Sequence, residues 1–160
     1  MNFGSKKYDI VRTDKMSSIY DGALSEVHYI ADEEGGLENG RIVTADRKTG
    51  LVTYAKDQDG DIYLHASVER NPYSSTLTDF IVEQGSKARL FRLQKGDIFS
   101  TSAFKEEELA KGDVLKLATK GGTFEKDATS TTASNKTQFE FIEFDTIGFV
   151  KVAKIRVIEA

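Results

Sequence analysis

The sequence predicts an all-β protein: a small β-barrel or β-sandwich with one short helix and an extended N-terminal arm. Three observations lead there. Short β-branched and aromatic runs recur between glycine-bearing turns, which is the grammar of short strands rather than helices. One segment alone has a helical pattern. The composition suits one soluble core: 160 residues, 39% hydrophobic and 30% charged, with no cysteine or tryptophan and two histidines. Mean hydropathy is −0.40 and the formal charge −4. That length predicts one domain, or one domain with an ordered arm, large enough to bury a core without a disulfide or metal staple.

Residues 1–38 are polar and weakly patterned, broken by Asp21-Gly22 and by the run from Asp32 to Gly36. They read either as an arm or as the first one or two strands of the domain. From Asn39 to Ala160 a single β domain is expected. Asn39-Gly40 leads into Arg41–Thr44, and Thr49-Gly50 into Leu51–Tyr54. Asp61–Arg70 alternates most cleanly, with Ile62, Leu64, Ala66 and Val68 on one side and Tyr63, His65, Ser67 and Glu69 on the other, solvent-facing one. Asn71-Pro72 ends it. Phe80–Glu83 and Lys87–Leu93 are further strand candidates. Lys95-Gly96-Asp97-Ile98-Phe99 is echoed by Lys111-Gly112-Asp113-Val114-Leu115, as one domain placing the same turn at two corners. Ser102–Ala110 between them is the expected helix, capped by Ser102 and stopped by Gly112. Residues 120–138, rich in Thr and Ser, read as an exposed excursion. Phe139–Phe144 and Phe149–Ile158 close the domain around a hairpin connection at Asp145–Gly148. The apolar phase slips near Val152-Ala153, which predicts a bulge or a strand buried on both faces.

Chemistry is sparse. Without cysteine there is no thiolate nucleophile and no cysteine-based metal site, and His28 and His65 lack metal-ligand spacing. A Ser–His–Asp set can be drawn from Ser67, His65 and Asp61, yet no nucleophile-elbow motif accompanies it. His65 therefore reads as a polar residue on the solvent side of its strand. The loop Asp57-Gln58-Asp59-Gly60-Asp61 has its glycine too early for a calcium loop and Ala66 where the closing glutamate belongs. Catalytic, cofactor and metal residues are accordingly expected to be none. In Lys87–Lys95, Arg89, Phe91 and Leu93 share a face and Arg92 takes the other, which splits the charges and argues against a nucleic-acid stacking platform. No segment approaches the roughly 20 apolar residues of a membrane span. No early apolar run resembles a signal peptide, so cytoplasmic synthesis is expected.

Adhesion fits the pattern better than catalysis. Phe3, Tyr8, Ile10, Val11, Met16, Ile19 and Tyr20 are spread along the arm at intervals suited to strand addition or groove burial on a partner. On that reading, removing Met1–Tyr20 leaves a folded β domain that no longer docks. The plan of a cysteine-free β domain, a leading arm ending near Asn39-Gly40-Arg41-Ile42-Val43, and glycine-punctuated strands resembles the decoration proteins of tailed-phage heads. The resemblance is one of style over most of the chain, and the longer 120–138 excursion departs from the simplest members. It implies a bacteriophage virion protein on the capsid surface, bound to the major capsid protein, often a homotrimer, stabilising the shell without catalysis, membrane contact or direct nucleic-acid binding. The alternative is a small-molecule, carbohydrate or peptide-binding β module presenting Tyr20, Tyr54, Tyr63 and Tyr73 as flat contacts.

Overall fold

The computed structural model describes residues 8–16, 29–58, 62–67, 81–118, 121–127 and 137–159. They form β1 (Val11–Lys15), β2 (Tyr29–Ala31), β3 (Ile42–Ala45), β4 (Leu51–Tyr54), β5 (Ile62–His65), β6 (Lys87–Ala88), β7 (Leu90–Arg92), β8 (Ile98–Thr101), β9 (Val114–Leu117), β10 (Phe124–Lys126), β11 (Gln138–Ile147) and β12 (Val150–Glu159). The all-β expectation holds. Among the described residues there is no helix, and hence none long and apolar enough to cross a membrane.

The first sheet runs β1-β8-β12-β11-β9-β10 and is antiparallel throughout. The second runs β6-β2-β4-β3-β5-β7, with β2 and β4 parallel. Its two end strands are nearly one stretch of chain, since only Arg89 separates β6 from β7. Residues 87–88 pair with β2 while 90–92 pair with β5, so the sheet curls until it meets itself as a small barrel. Closure removes free edges. The open sheet guards its edges by other means. At one edge, an extra residue, Asp14, bulges β1 between Thr13 and Lys15. At the other, the stretch after β8 lies along β10, through a Phe104–Phe124 bridge and a bond from Lys126 N to Glu107 Oε1 of 2.6 Å.

Alternation along β5 explains how barrel and sheet join. Ile62 and Leu64 point out of the barrel, with Ile42, Phe91 and Leu93, against Phe99, Leu115, Phe124, Phe139, Phe141 and Ile155 of the open sheet. Tyr63 points inward with Val43, Val52, Leu90, Tyr29 and Leu37. The predicted two-sided pattern is present, but both sides are buried, and His65 is fully enclosed rather than solvent-facing. Phe124 and Phe139, centroids 5.0 Å apart and edge-to-face, sit at the middle of the inter-sheet core, a geometry favoured by the ring quadrupole.

The predicted helix at Ser102–Ala110 is absent, because its backbone donors are engaged elsewhere. Lys105 N donates to Phe124 O at 2.8 Å, Phe104 N to Ser102 O, and Ala110 N to the carboxylate of Asp113. Phe104 and Leu109 meanwhile reach the core from extended chain. A two-turn segment has little helical stability of its own to set against such contacts.

The two echoed turns are equivalent in detail. Asp97 Oδ2 accepts from Gln94 N at 2.9 Å, and Asp113 Oδ2 from Ala110 N at 2.8 Å. Gly96 N donates to Val157 O and Val157 N to Asp97 O. Likewise Gly112 N donates to Phe141 O and Phe141 N to Asp113 O. The turns thus dock on the two strands of the β11–β12 hairpin, with β8 and β9 flanking it. A local two-fold relation passes through the cross-strand pair Glu140–Arg156, whose charged groups lie 3.5 Å apart. At the slip near Val152-Ala153, register with β11 is continuous and both residues are fully buried, so the strand is covered on both faces. The hairpin turns at Gly148-Phe149, since 145–147 continue β11.

Candidate functional site

Polar side chains are buried together at one place, where the ends of several strands meet. The segment Glu38–Arg41 enters β3, Asp9 precedes β1, His65 ends β5, Thr101 ends β8 and Ser102 follows it. Gly40 permits the convergence. Its φ is +81°, and a Cβ there would lie 2.3 Å from Thr101 Oγ1 and 2.8 Å from Ile10 O. Only glycine tolerates both the backbone conformation and the approach.

Arg41 is the hinge-pin of this junction. Its Nε donates to Asp9 Oδ2 at 2.9 Å and its Nη2 pairs with Glu38 Oε2 at 2.5 Å. Its guanidinium also lies 5.0 Å from the Tyr54 ring centroid and donates to Gly121 O. Asp9, 4% exposed, accepts in addition from Ser102 Oγ at 2.9 Å, while Asp9 N donates to Glu38 Oε1 at 2.8 Å. Ser102 Oγ accepts from Ile10 N. Charge-assisted bonds of this kind are short and about twice as strong as neutral ones. The Tyr54 hydroxyl accepts from Glu38 N and donates to Gly36 O. Burial pushes its pKa up to about 12, with the Glu38 amide bond and the Arg41 charge opposing and the Glu38 and Glu33 charges reinforcing.

His65 and Ser67 form the second half of the junction. His65 Nδ1 lies 2.9 Å from Glu38 O, and Nε2 lies 2.8 Å from Ser67 Oγ. A carbonyl only accepts, so Nδ1 carries the proton and Nε2 accepts from the serine hydroxyl. Burial pulls the His65 pKa down to about 4. The bond to Glu38 O works against that shift and the nearby Arg89 charge adds to it. The imidazole is therefore neutral at neutral pH.

A hydroxyl donating to a neutral imidazole has the form of an activated nucleophile, but its surroundings are those of a brace. Ser67 Oγ also accepts from Arg89 N at 3.0 Å. Asn39 grips the Ser67 backbone at both ends, Oδ1 accepting from Ser67 N and Nδ2 donating to Ser67 O. Arg89 Nε donates to Ala66 O at 2.6 Å and its guanidinium lies over Phe91. Among the described residues, the side-chain donors Asn39 Nδ2 and Arg89 Nε, of the kind that would stabilise an oxyanion, are turned onto the chain's own carbonyls. No buried side-chain nitrogen or oxygen among the described residues lacks a partner. Nor do three His, Asp or Glu groups there come together as a metal site.

The arm residues separate. Ile10 and Met16 lie inside the chain's own core, 2% and 0% exposed, so they are withdrawn from any docking surface. Val11 packs half-buried against the same core, and Tyr8 is half-buried. Phe3, Ile19, Tyr20, His28, Asp61 and Tyr73 lie outside the described residues. Since β1 is a strand of the open sheet, removing Met1–Tyr20 would take away part of the fold, contrary to the sequence expectation. Tyr63 is a core residue and Tyr54 part of the junction, so neither presents a flat exposed face. Phe91 belongs to the core and not to a stacking platform. Sequence reasoning missed Asp9, Glu38, Arg41, Asn39 and Ser102 as a unit. The available signal was Asn39-Gly40 with acidic and basic neighbours directly before a strand.

Fold and site together define a class: a two-sheet β protein, barrel against open sheet, locked at one end by a buried polar junction. No protein-family model, curated protein or solved structure matches the chain.

Proposed function

We propose that this chain is a virion structural protein that binds the outside of an assembled capsid and stabilises it by non-covalent contacts, without catalysis. The observation that carries this reading is the junction itself. The most reactive-looking groups of the described residues, His65 and Ser67, face carbonyls, amides and each other, where they brace neighbouring segments of the barrel. A rigid scaffold with guarded sheet edges suits a protein whose work is adhesion, because a preorganised surface loses little entropy on docking. The resemblance in plan to tailed-phage decoration proteins supplies the partner, the major capsid protein, and a trimer as the expected assembly. The binding-module alternative relied on exposed tyrosines. The inward placement of Tyr54 and Tyr63 leaves it with less support.

The test is co-sedimentation of the purified chain with shells assembled from the major capsid protein of the virus that encodes it. The chain should travel with assembled shells, ignore unassembled subunits, and raise the temperature at which shells rupture. A chain that stays at the top of the gradient at micromolar concentration sinks the reading. Sedimentation equilibrium of the free chain checks the trimer.

A further inference from the structure

The β11–β12 hairpin outruns the sheet it belongs to. β9 pairs with β11 at Phe139 and Glu140, and β8 pairs with β12 from Ala153 to Arg156. The pairs Asp145–Val152, Thr146–Lys151 and Ile147–Val150 have no other strand beside them among the described residues. At the ordinary strand rise the tip therefore carries about 10 Å beyond its neighbours. This projecting part is braced on both faces. On one, Arg12 Nη2 donates to Asp145 Oδ2 at 2.8 Å, and Ile147, Val150 and Val152 pack with Ile10. On the other, Lys151 Nζ lies 4.0 Å from the Phe144 ring centroid and donates to Glu106 Oε1 at 2.9 Å. At the end stands Phe149, 75% exposed. The two-residue turn needs Gly148, with its φ of +62°, at the first position. It asks nothing apolar of the second, where polar residues are ordinary. A phenyl ring displayed there forgoes burial that folding does not supply. Thr146 to Val150 is moreover uncharged in a chain that is 30% charged. The flanking Asp145 and Lys151 are each neutralised from within the chain, by Arg12 and Glu106.

We propose that Phe149 is a docking knob, which a neighbouring protein receives in an uncharged apolar recess. The assignment of that recess to the major capsid protein rests on the reading of the chain as a shell-binding protein. The balanced charges favour a socket of this kind. An anionic partner, whether a membrane surface or a nucleic acid, is met by clusters of cations, and the one lysine beside the tip already has its carboxylate. A second copy of the chain is a poor host. Among the described residues the other exposed large hydrophobic is Ile30, 37% exposed on β2 in the barrel wall. The bracing fixes the knob before contact, so little entropy is lost when it seats, and one buried aromatic then carries a large share of the affinity.

The experiment compares the full chain with Phe149→Ser and Phe149→Leu by co-sedimentation with assembled shells, and each chain alone by thermal melting and sedimentation equilibrium. Phe149→Ser should weaken shell binding at least about tenfold, and Phe149→Leu less. Both variants should melt within a few degrees of wild type and keep its oligomeric state. The loss should have the same size at low and at high salt, because an apolar contact is not screened. A Phe149→Ser chain that binds shells like wild type overturns this inference and leaves shell binding standing, whereas a wild-type chain that ignores shells overturns both. The knob is also overturned by a loss confined to low salt, which marks a charged contact, and by variants that unfold, which make Phe149 part of the fold. Lost self-association in Phe149→Ser would move the recess to a second copy, and Phe149-dependent binding to anionic phospholipid vesicles would make the tip a membrane anchor; either overturns the proposal.

Discussion

His65 ties acid sensitivity to one atom pair. Its folded pKa lies near 4 against an ordinary value of 6.5. Between those two values the unfolded chain binds the proton and the folded chain does not, so stability rises with pH across that window and is flat, for this group, on either side. The size is on the order of 3 kcal/mol for a fully enclosed imidazole. Urea unfolding near pH 7.5, 5.5 and 4.5 should show the loss beginning below about pH 6.5; an unchanged midpoint between pH 7.5 and 5.5 would remove His65 as its source. Asn39 gives a second prediction. Its amide donates to Ser67 O from a site 2% exposed, so Asn39→Asp sets an anion against a carbonyl and should cost about 2–4 kcal/mol. A denaturation midpoint within error of wild type would show that the amide is not gripping that backbone. Neither residue was legible as buried from sequence. Alternation placed His65 and Ser67 on the polar side of β5 correctly, but which side meets solvent depends on a barrel closing around it, and no local pattern carries that.

At the scale of elements, turn chemistry was the most readable feature. Lys-Gly-Asp before a β-branched strand start, Ile98 or Val114, was enough to place β8 and β9, because glycine at positive φ and an aspartate capping the turn are local requirements. The two-fold docking of these turns on one hairpin was not readable, since it depends on which strands pair. It yields a matched test. Asp97→Ala and Asp113→Ala remove the same bond to an amide three residues back, but Asp97 is fully buried and Asp113 is half-buried. Both should destabilise, by about 1–3 kcal/mol, with Asp97 the larger. Thermal melts of the two variants decide it, and a reversed order would show that the two turns are not equivalent. The missing helix teaches the complementary point. Ser102 has the character of an N-cap, but its hydroxyl serves Asp9 and Ile10 across the junction. Long-range partners outbid a weak local preference.

For the whole molecule, the question is where the domain begins. Sequence reasoning left residues 1–38 as either reach or first strands, because weak patterning describes an edge strand as well as an arm. The described parts of that segment are strands of both sheets, and they supply Ile10, Met16, Tyr29, Ala31 and Leu37 to buried clusters. Each fully buried Ile or Met contributes about 1.5–3 kcal/mol, so removing residues 1–16 forfeits roughly 3–6 kcal/mol from Ile10 and Met16 alone. The ladder to β8 and the Asp9–Arg41 pair are lost as well, and Arg41 and Glu38 are left without one of their partners. Set against a total stability of about 5–15 kcal/mol, that loss should leave the chain largely unfolded or reliant on a partner strand. Removing residues 1–7 leaves every one of these contacts in place. The two truncations therefore separate docking from folding. The shorter deletion should melt within a few degrees of the full chain, and the longer should show no cooperative transition in circular dichroism. A cooperative melt from the longer deletion would return β1 to the status of an arm and make the barrel, not the two-sheet body, the folding unit.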